Sequence, residues 1–289
     1  MRHGFLLIDK PRGPTSHDVV GAVRRQLHER DIGHLGTLDP EAEGLMVLAV
    51  GSKALKVVEF FVGLEKEYIA DLRLGAVSTT YDAEGVIEEV PLKTGWVIPE
   101  DSSRIQTLIT DHFIGKISQV PPIYSAIHVG GERAYRKAMR GENVEMKARE
   151  TTIHSCAVTA YTFPSVTLCV HCDSGTYIRS LAHDLGQTLR CGAYLTALRR
   201  TKVGEWSVAS AKAMKDVQWT DIIPLKDILK SFPGLAITDA EWEELRHGRS
   251  IDGTCPSELP FFAWHNNLPV AVLENNRKAT GKLKPRKVL

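Results

Sequence analysis

The chain has 289 residues, 43% hydrophobic and 25% charged, the composition of a globular protein whose core needs neither disulfide nor metal. A formal net charge of +1 excludes a global electrostatic signature for a polyanion, so any nucleic-acid surface must come from local clusters of Lys and Arg. No apolar run reaches the ~20 residues of a membrane span, and the N-terminus lacks the apolar region and cleavage site of a signal peptide, so a cytoplasmic protein is expected.

The apolar run at 5–8 predicts a short buried strand. Lys10, Pro11, Gly13 and Pro14 break it into a loop, and Thr15 or Ser16 can cap a helix with Val19, Val20, Val23 and Leu27 on one face. Residues 33–40 carry loop chemistry, 45–50 read as a buried strand, 54–64 as a helix, and 68–74 alternate like a strand. A polar turn at 79–85 leads to an extended stretch at 86–90, and 102–113 is helical with Ile105, Leu108 and Ile109 as its stripe. From 119 to 150, prolines, glycines and charges indicate an insertion rather than core.

Residues 158–172 predict two strands about a Phe163-Pro164 turn. A helix at 177–189 turns Ile178, Leu181 and Leu185 inward, and 195–203 is strand-like. Pro224 and Pro233 mark a linker to a final segment from about Gly234, with strands near 261–264 and 270–273. It is small, so docking on the first domain is expected. Strands and helices without βαβ alternation argue an α+β class.

The five cysteines, Cys156, Cys169, Cys172, Cys191 and Cys255, are too scattered for a disulfide framework. Cys169 and Cys172 have motif-like spacing but fall on a strand, where residues three apart face opposite ways, so they read as buried thiols rather than a metal pair.

The densest chemistry lies at 33–44. Gly33, Gly36 and Gly44 permit close backbone approach, and Pro40 keeps Asp39 out of the helical region, so a carboxylate is presented from a constrained loop. Alone, an Asp-Pro pair is most often a turn. The string Gly-His-Leu-Gly-Thr-Leu-Asp-Pro-Glu-Ala-Glu-Gly, however, resembles the signature of TruB-type pseudouridine synthases, with Asp39 at the position of the catalytic aspartate. Four further stretches are similar to family motifs and follow in the family order. They are Leu7-Ile8-Asp9-Lys10-Pro11-Arg12-Gly13-Pro14-Thr15-Ser16, Lys66-Glu67-Tyr68, Gly175-Thr176-Tyr177-Ile178-Arg179 and Leu198-Arg199-Arg200-Thr201-Lys202-Val203-Gly204.

The resemblance implies a mixed, largely antiparallel central sheet flanked by helices, with a thumb insertion at about 119–150 and a small β-rich PUA-like module at 232–289 that binds RNA. It implies conversion of uridine to pseudouridine at position 55, in the T-loop of tRNA, by an enzyme that is a monomer without cofactor, guide RNA or protein partner. Arg179 would pair with Asp39, and Tyr68 would stack on the flipped base and assist proton removal. Tyr177 and Leu198 would line the uridine pocket, and His34 would enter the RNA loop at the vacated base position; no second histidine stands near His34 at metal-ligand spacing. A carboxylate can attack the anomeric carbon or carbon 6 of the base, and the sequence leaves both open.

Arg133, Arg136, Lys137 and Arg140 have i, i+3, i+4, i+7 spacing and would share one helix face able to meet phosphates, with 119–126 as the thumb's hinge or leading strand. After Glu274 the chain carries Arg277, Lys278, Lys282, Lys284, Arg286 and Lys287 and no acid, either a disordered basic tail or part of the module. Asp173 and the Tyr194-Leu195 pair depart from the family pattern, away from the proposed catalytic groups. Two other functions compete: a non-catalytic RNA-binding or RNA-folding protein, and a glycoside hydrolase using Asp39 with Glu41 or Glu43. The joint presence of Asp39, Tyr68 and Arg179 favours the synthase over the first, and the basic features have no role in the second.

Overall fold

Alternating burial along the strands sets up the architecture. The computed structural model describes residues 3–91, 97–125, 127–256 and 260–289. Its main strands are β1 (Gly4–Lys10), β2 (Ile32–His34), β3 (Glu43–Val50), β4 (Lys66–Leu74), β5 (Gly115–Gln119), β6 (Arg149–Thr162), β7 (Ser165–Cys172), β8 (Ala193–Val203) and β9 (Lys212–Ala213). They form one sheet in the order β9-β1-β3-β8-β4-β7-β6-β5, with β2 pairing β3 at the side. β1 with β9 and β3 with β8 run parallel, and the other pairs along the path are antiparallel. The sheet is therefore mixed and largely antiparallel, as the family resemblance implied.

On β4, Tyr68, Ala70, Leu72 and Leu74 turn into the core while Glu67, Asp71 and Arg73 face out. This is the period-two pattern of a half-buried strand. Helices α1 (Ser16–Leu27), α2 (Ser103–Phe113) and α4 (Ile178–Leu189) all place their buried hydrophobic residues in that same core. α1 starts with a capping box, in which the Thr15 hydroxyl accepts from the Asp18 amide and the Asp18 carboxylate accepts from the Thr15 amide.

β1 and β3 are apolar on both faces. Leu6, Ile8, Met46 and Leu48 join the helical side, while Phe5, Leu7, Leu45 and Val47 meet a second core that includes Phe262 and Val272. Those two residues come from a five-stranded C-terminal sheet: β10 (Gly234–Ala236), β11 (Ile251–Asp252), β12 (Phe261–His265), β13 (Leu268–Asn275) and β14 (Lys282–Val288). The sheet is β-rich, carries its own small core around Leu245 and Leu283, and docks through edge-to-face contacts of Phe262 with Phe60 and Phe232.

Three expectations need correction, and one open alternative at the C-terminus is decided. Residues 54–64 do not form one helix but a short turn of helix at Ser52–Leu55 and a 3₁₀ turn at Val58–Phe60. The break follows the β-branched Val57 and Val58 and packs Phe61 against Phe5, Trp206 and Phe232. Gly33 and His34 are not loop but strand, pairing with Ala49 and Leu48. The basic C-terminus is not a disordered tail: β14 pairs with β13 and buries Leu283. In the 119–150 region, α3 covers only Ala134–Met139; Arg133 ends the short strand Glu132–Arg133 and Arg140 caps the helix, so the four basic residues do not all lie on it.

Candidate active site

The loop between β2 and β3 carries Asp39, and buried groups hold it from behind. Ser16, in the first turn of α1, accepts from the Leu38 amide and donates to the Leu38 carbonyl, both at 2.8 Å. Lys10, fully buried, donates to the carbonyls of Pro11 (3.0 Å), Pro40 (2.8 Å) and Ala42 (2.6 Å). All three of its ammonium protons thus have acceptors. Burial pushes the Lys10 pKa down, opposed by Glu41 and Asp39.

Arg200, also buried, donates from Nε to Leu45 O at 2.7 Å and from its two terminal nitrogens to Thr37 O (3.3 Å) and Gly36 O (3.2 Å). Gly44 has φ +100°, and a Cβ there would lie 2.3 Å from the Arg200 carbonyl, so only glycine lets β3 and β8 approach here.

Asp39 points from this loop to Arg179 of α4. Its Oδ2 lies 3.1 Å from one terminal nitrogen of Arg179, while the other terminal nitrogen is 3.1 Å from Asp82 Oδ2. The guanidinium also donates to the Tyr124 carbonyl at 2.9 Å. A cation in the first turn of a helix opposes the helix dipole. Two carboxylates and a carbonyl offset that cost and desolvation as well. Arg179 side-chain exposure is 8% and that of Asp82 is 12%, against 45% for Asp39. Asp82 is therefore the standing partner and Asp39 the solvent-facing one. Asp82 is fixed in turn by the Thr80 hydroxyl and the Glu84 amide, just after Tyr81, which takes the left-handed conformation (φ +66°).

In front of Asp39 lies a cavity of about 230 Å³. Tyr68, Tyr177, Leu198, Arg179 and Arg200 line it together with Asp39. A more open cavity of about 430 Å³ adjoins the other side of the Asp39–Arg179 pair, beside Thr79 and Tyr124. Burial pushes the phenols of Tyr68 and Tyr177 up, so both present neutral rings at neutral pH. Lys66, at the cavity wall, donates to Val62 O and Leu64 O and is pushed down to about 8, mainly by burial and then by Arg200.

The structure thus brings Asp39, Tyr68, Tyr177, Arg179 and Leu198 to one cavity. His34 stays on β2 outside that lining; burial first, then Arg200 and His17, lowers its pKa and leaves the ring neutral. The segment leading from β5 is joined to the site. Gln119 donates to the Tyr177 carbonyl (3.0 Å) and accepts from the Tyr177 amide (2.8 Å), and the Ser180 hydroxyl donates to the Val120 carbonyl. Ala126, the last residue of the expected hinge, lies outside the described residues. Farther out, Arg140 makes a bidentate pair with Glu132 and a bond to Glu142, and Arg136 lies against the Tyr135 ring. Asp82, Lys10 and Arg200 were not singled out as site residues; the one local signal for Asp82 was its polar turn at 79–85. Cys169 and Cys172 face opposite sides of β7, the first half-buried and the second in the core.

A chain in one H/ACA RNP structure bound to a substrate RNA shares this fold, at TM-score 0.70 and 23% identity over 99% of this chain and 84% of that one. So does a chain of a Cbf5-Nop10-Gar1 complex, at TM-score 0.71 and 24% identity over 99% and 85%. A family model described as TruB family pseudouridylate synthase, N-terminal domain, matches residues 24–178, and one for the tRNA pseudouridylate synthase B C-terminal domain matches 179–229. The class is that of the pseudouridylate synthases, which are isomerases.

Within it, the chain belongs to the TruB family. It is 43% identical to tRNA pseudouridine synthase B of Thermobifida fusca (strain YX), over 87% of each chain. It is 41% identical to that of Mycobacterium sp. (strain KMS), over 89% of each.

Proposed function

We propose that this chain, acting on tRNA as a cytoplasmic monomer without guide RNA, isomerises the T-loop uridine to pseudouridine with Asp39 as nucleophile. The observation that carries the reading is the buried Arg179, which aims Asp39 into a cavity walled by Tyr68, Tyr177 and Leu198. A cavity of about 230 Å³ has room for a single flipped base, not for stacked nucleotides.

Unstacking a base costs ~a few kcal/mol. Stacking on the Tyr68 ring returns about 1–3 kcal/mol, with Tyr177 and Leu198 closing the remaining walls. The Asp39 carboxylate, oriented by Arg179, then attacks the anomeric carbon or carbon 6. On either route the C1′–N1 bond breaks with its electron pair on the base, the base turns, carbon 5 bonds to C1′, and the bond to Asp39 breaks to return the free carboxylate. A proton leaves carbon 5 and N1 takes one up, so the reaction is an isomerisation with no oxidant or reductant. With its phenol pushed up by burial and therefore protonated, Tyr68 acts as a stacking ring, and it takes the carbon 5 proton only as it passes its own phenolic proton on.

His34 enters the RNA loop. Arg133, Arg136, Lys137 and Arg140, with the PUA-like C-terminal module, meet the phosphate backbone. For Arg140 this means exchanging Glu132 and Glu142 for phosphate. The test is a T-arm stem-loop RNA carrying tritium on carbon 5 of its uridines. Stoichiometric tritium release that disappears when the T-loop uridine is replaced by cytidine is expected. Tight binding without release would leave a non-catalytic RNA-folding role in its place.

A further inference from the structure

Away from the catalytic cavity, Glu65, His154 and Asp173 bring three ligand atoms within 4.8 Å of one another. His154 Nε2 lies 2.9 Å from Asp173 Oδ1 and 3.4 Å from Glu65 Oε1, while His171 Nε2 lies 2.8 Å from the other oxygen of Glu65. We propose that this cluster is a binding site for one divalent transition-metal cation of the zinc type.

The backbone builds it from three neighbouring strands. Glu65 directly precedes β4, His171 lies on the open face of β7, and Asp173 follows β7 with its amide bonded to the Thr152 carbonyl of β6. His154 sits at a register shift in the β6–β7 pairing: Ile153 opposes Cys172, but Ser155 opposes His171, so His154 is the extra residue. Such a bulge re-aims a side chain. Here the imidazole is turned toward the two carboxylates.

His154 is where ordinary hydrogen bonding falls short: a neutral imidazole offers one N–H, yet its Nε2 faces two carboxylates, Asp173 and Glu65. A dication satisfies all of them at once. Ligand atoms ~2.0–2.2 Å from a tetrahedral zinc lie about 3.3–3.6 Å apart, close to the 2.9 and 3.4 Å that separate His154 Nε2 from Asp173 and Glu65, so these three side chains suit one ion, and His171 turns in from the other Glu65 oxygen to complete its shell. Two imidazoles select a zinc-type cation over calcium or magnesium, which prefer all-oxygen shells. All four side chains are 33–51% exposed, leaving the ion a path in. Glu65 adjoins Lys66, and Asp173 adjoins Ser174 and Gly175, all three of which line the catalytic cavity, so a bound ion would tie together the strand ends that form its rim.

The test is calorimetric titration of the chelator-treated full chain with zinc chloride, in parallel with calcium chloride. One zinc per chain is expected, with affinity reduced at least tenfold by Asp173→Ser and a hundredfold or more by His154→Ala with His171→Ala. Zinc should raise the melting temperature of the parent and not that of the double variant, whose metal-free melting temperature controls for folding. Absence of saturable zinc binding, equal affinity in the double variant (the ion then being held elsewhere, for example by cysteine), or calcium binding as tight as zinc would each overturn the proposal.

Discussion

The loop that carries Asp39 and the 119–150 region both depend on cations, in opposite ways. Behind Asp39, Lys10 and Arg200 are buried and donate to backbone carbonyls, and Arg179 pairs with a buried carboxylate. In the 119–150 region, Arg140 is half exposed and pairs with the exposed side chains Glu132 and Glu142. A buried cation on carbonyls has no alternative partner and fixes one geometry. An exposed cation on glutamates can trade them for phosphate at little cost. The difference teaches that the loop is built to hold an atom in place, and the outer segment to exchange partners.

Arg179→Met should break the comparison most severely. It strands Asp82 without its cation, and removing one partner of a buried pair costs about 3–5 kcal/mol, readable by urea denaturation, with turnover lost as well. Lys10→Met comes next. Three charged hydrogen bonds vanish, offset by relief of a desolvated ammonium, for a net loss of about 1–3 kcal/mol. Because Lys10 touches the loop and not the cavity, kcat should fall while KM changes little.

Lys66 tests the loop side by pH. Its folded pKa, about 8, lies below the ordinary lysine value of 10.5, so between these limits the unfolded chain binds more protons and stability rises with pH. The difference in unfolding free energy between the parent and Lys66→Met should therefore move in the parent's favour as pH rises from 8 to 10.5. A flat difference would mean the ammonium is not desolvated. The smallest stability effect belongs to Arg140→Ala, under ~1 kcal/mol because the pair is exposed. Its effect belongs in binding: Arg136→Glu with Arg140→Glu should weaken RNA affinity and flatten its log–log salt dependence by about 1–2 units.

Much of this was legible in the chain. The alternation of 68–74 and the stripe at Val19, Val20, Val23 and Leu27 are local periodicities and reappear as β4 and α1. Asp39, Tyr68, Tyr177, Arg179 and Leu198 came through resemblance to ordered motifs, and they meet at one cavity. Periodicity hid the support. Nothing near Lys10 or Arg200 in the chain signals burial, because their acceptors, Pro40, Ala42 and Leu45, are 30, 32 and 155 residues away. The Asp82–Arg179 pair spans 97 residues. The Glu65, His154 and Asp173 cluster has no sequence spacing at all, since three strands and a bulge assemble it. Residues 54–64 misled because their apolar residues fit a helix stripe, while aromatic packing around Phe61 demanded a tighter turn.

We propose Asp39 as the nucleophile, which the rest of the loop holds in place. Asp39→Asn removes the charge and keeps the shape, and with the carboxylate 45% exposed the fold should survive. In single-turnover reactions with T-arm RNA, the variant should bind the RNA about as tightly as the parent and form no pseudouridine. Pseudouridine formed by Asp39→Asn at a rate near the parent's would contradict the account.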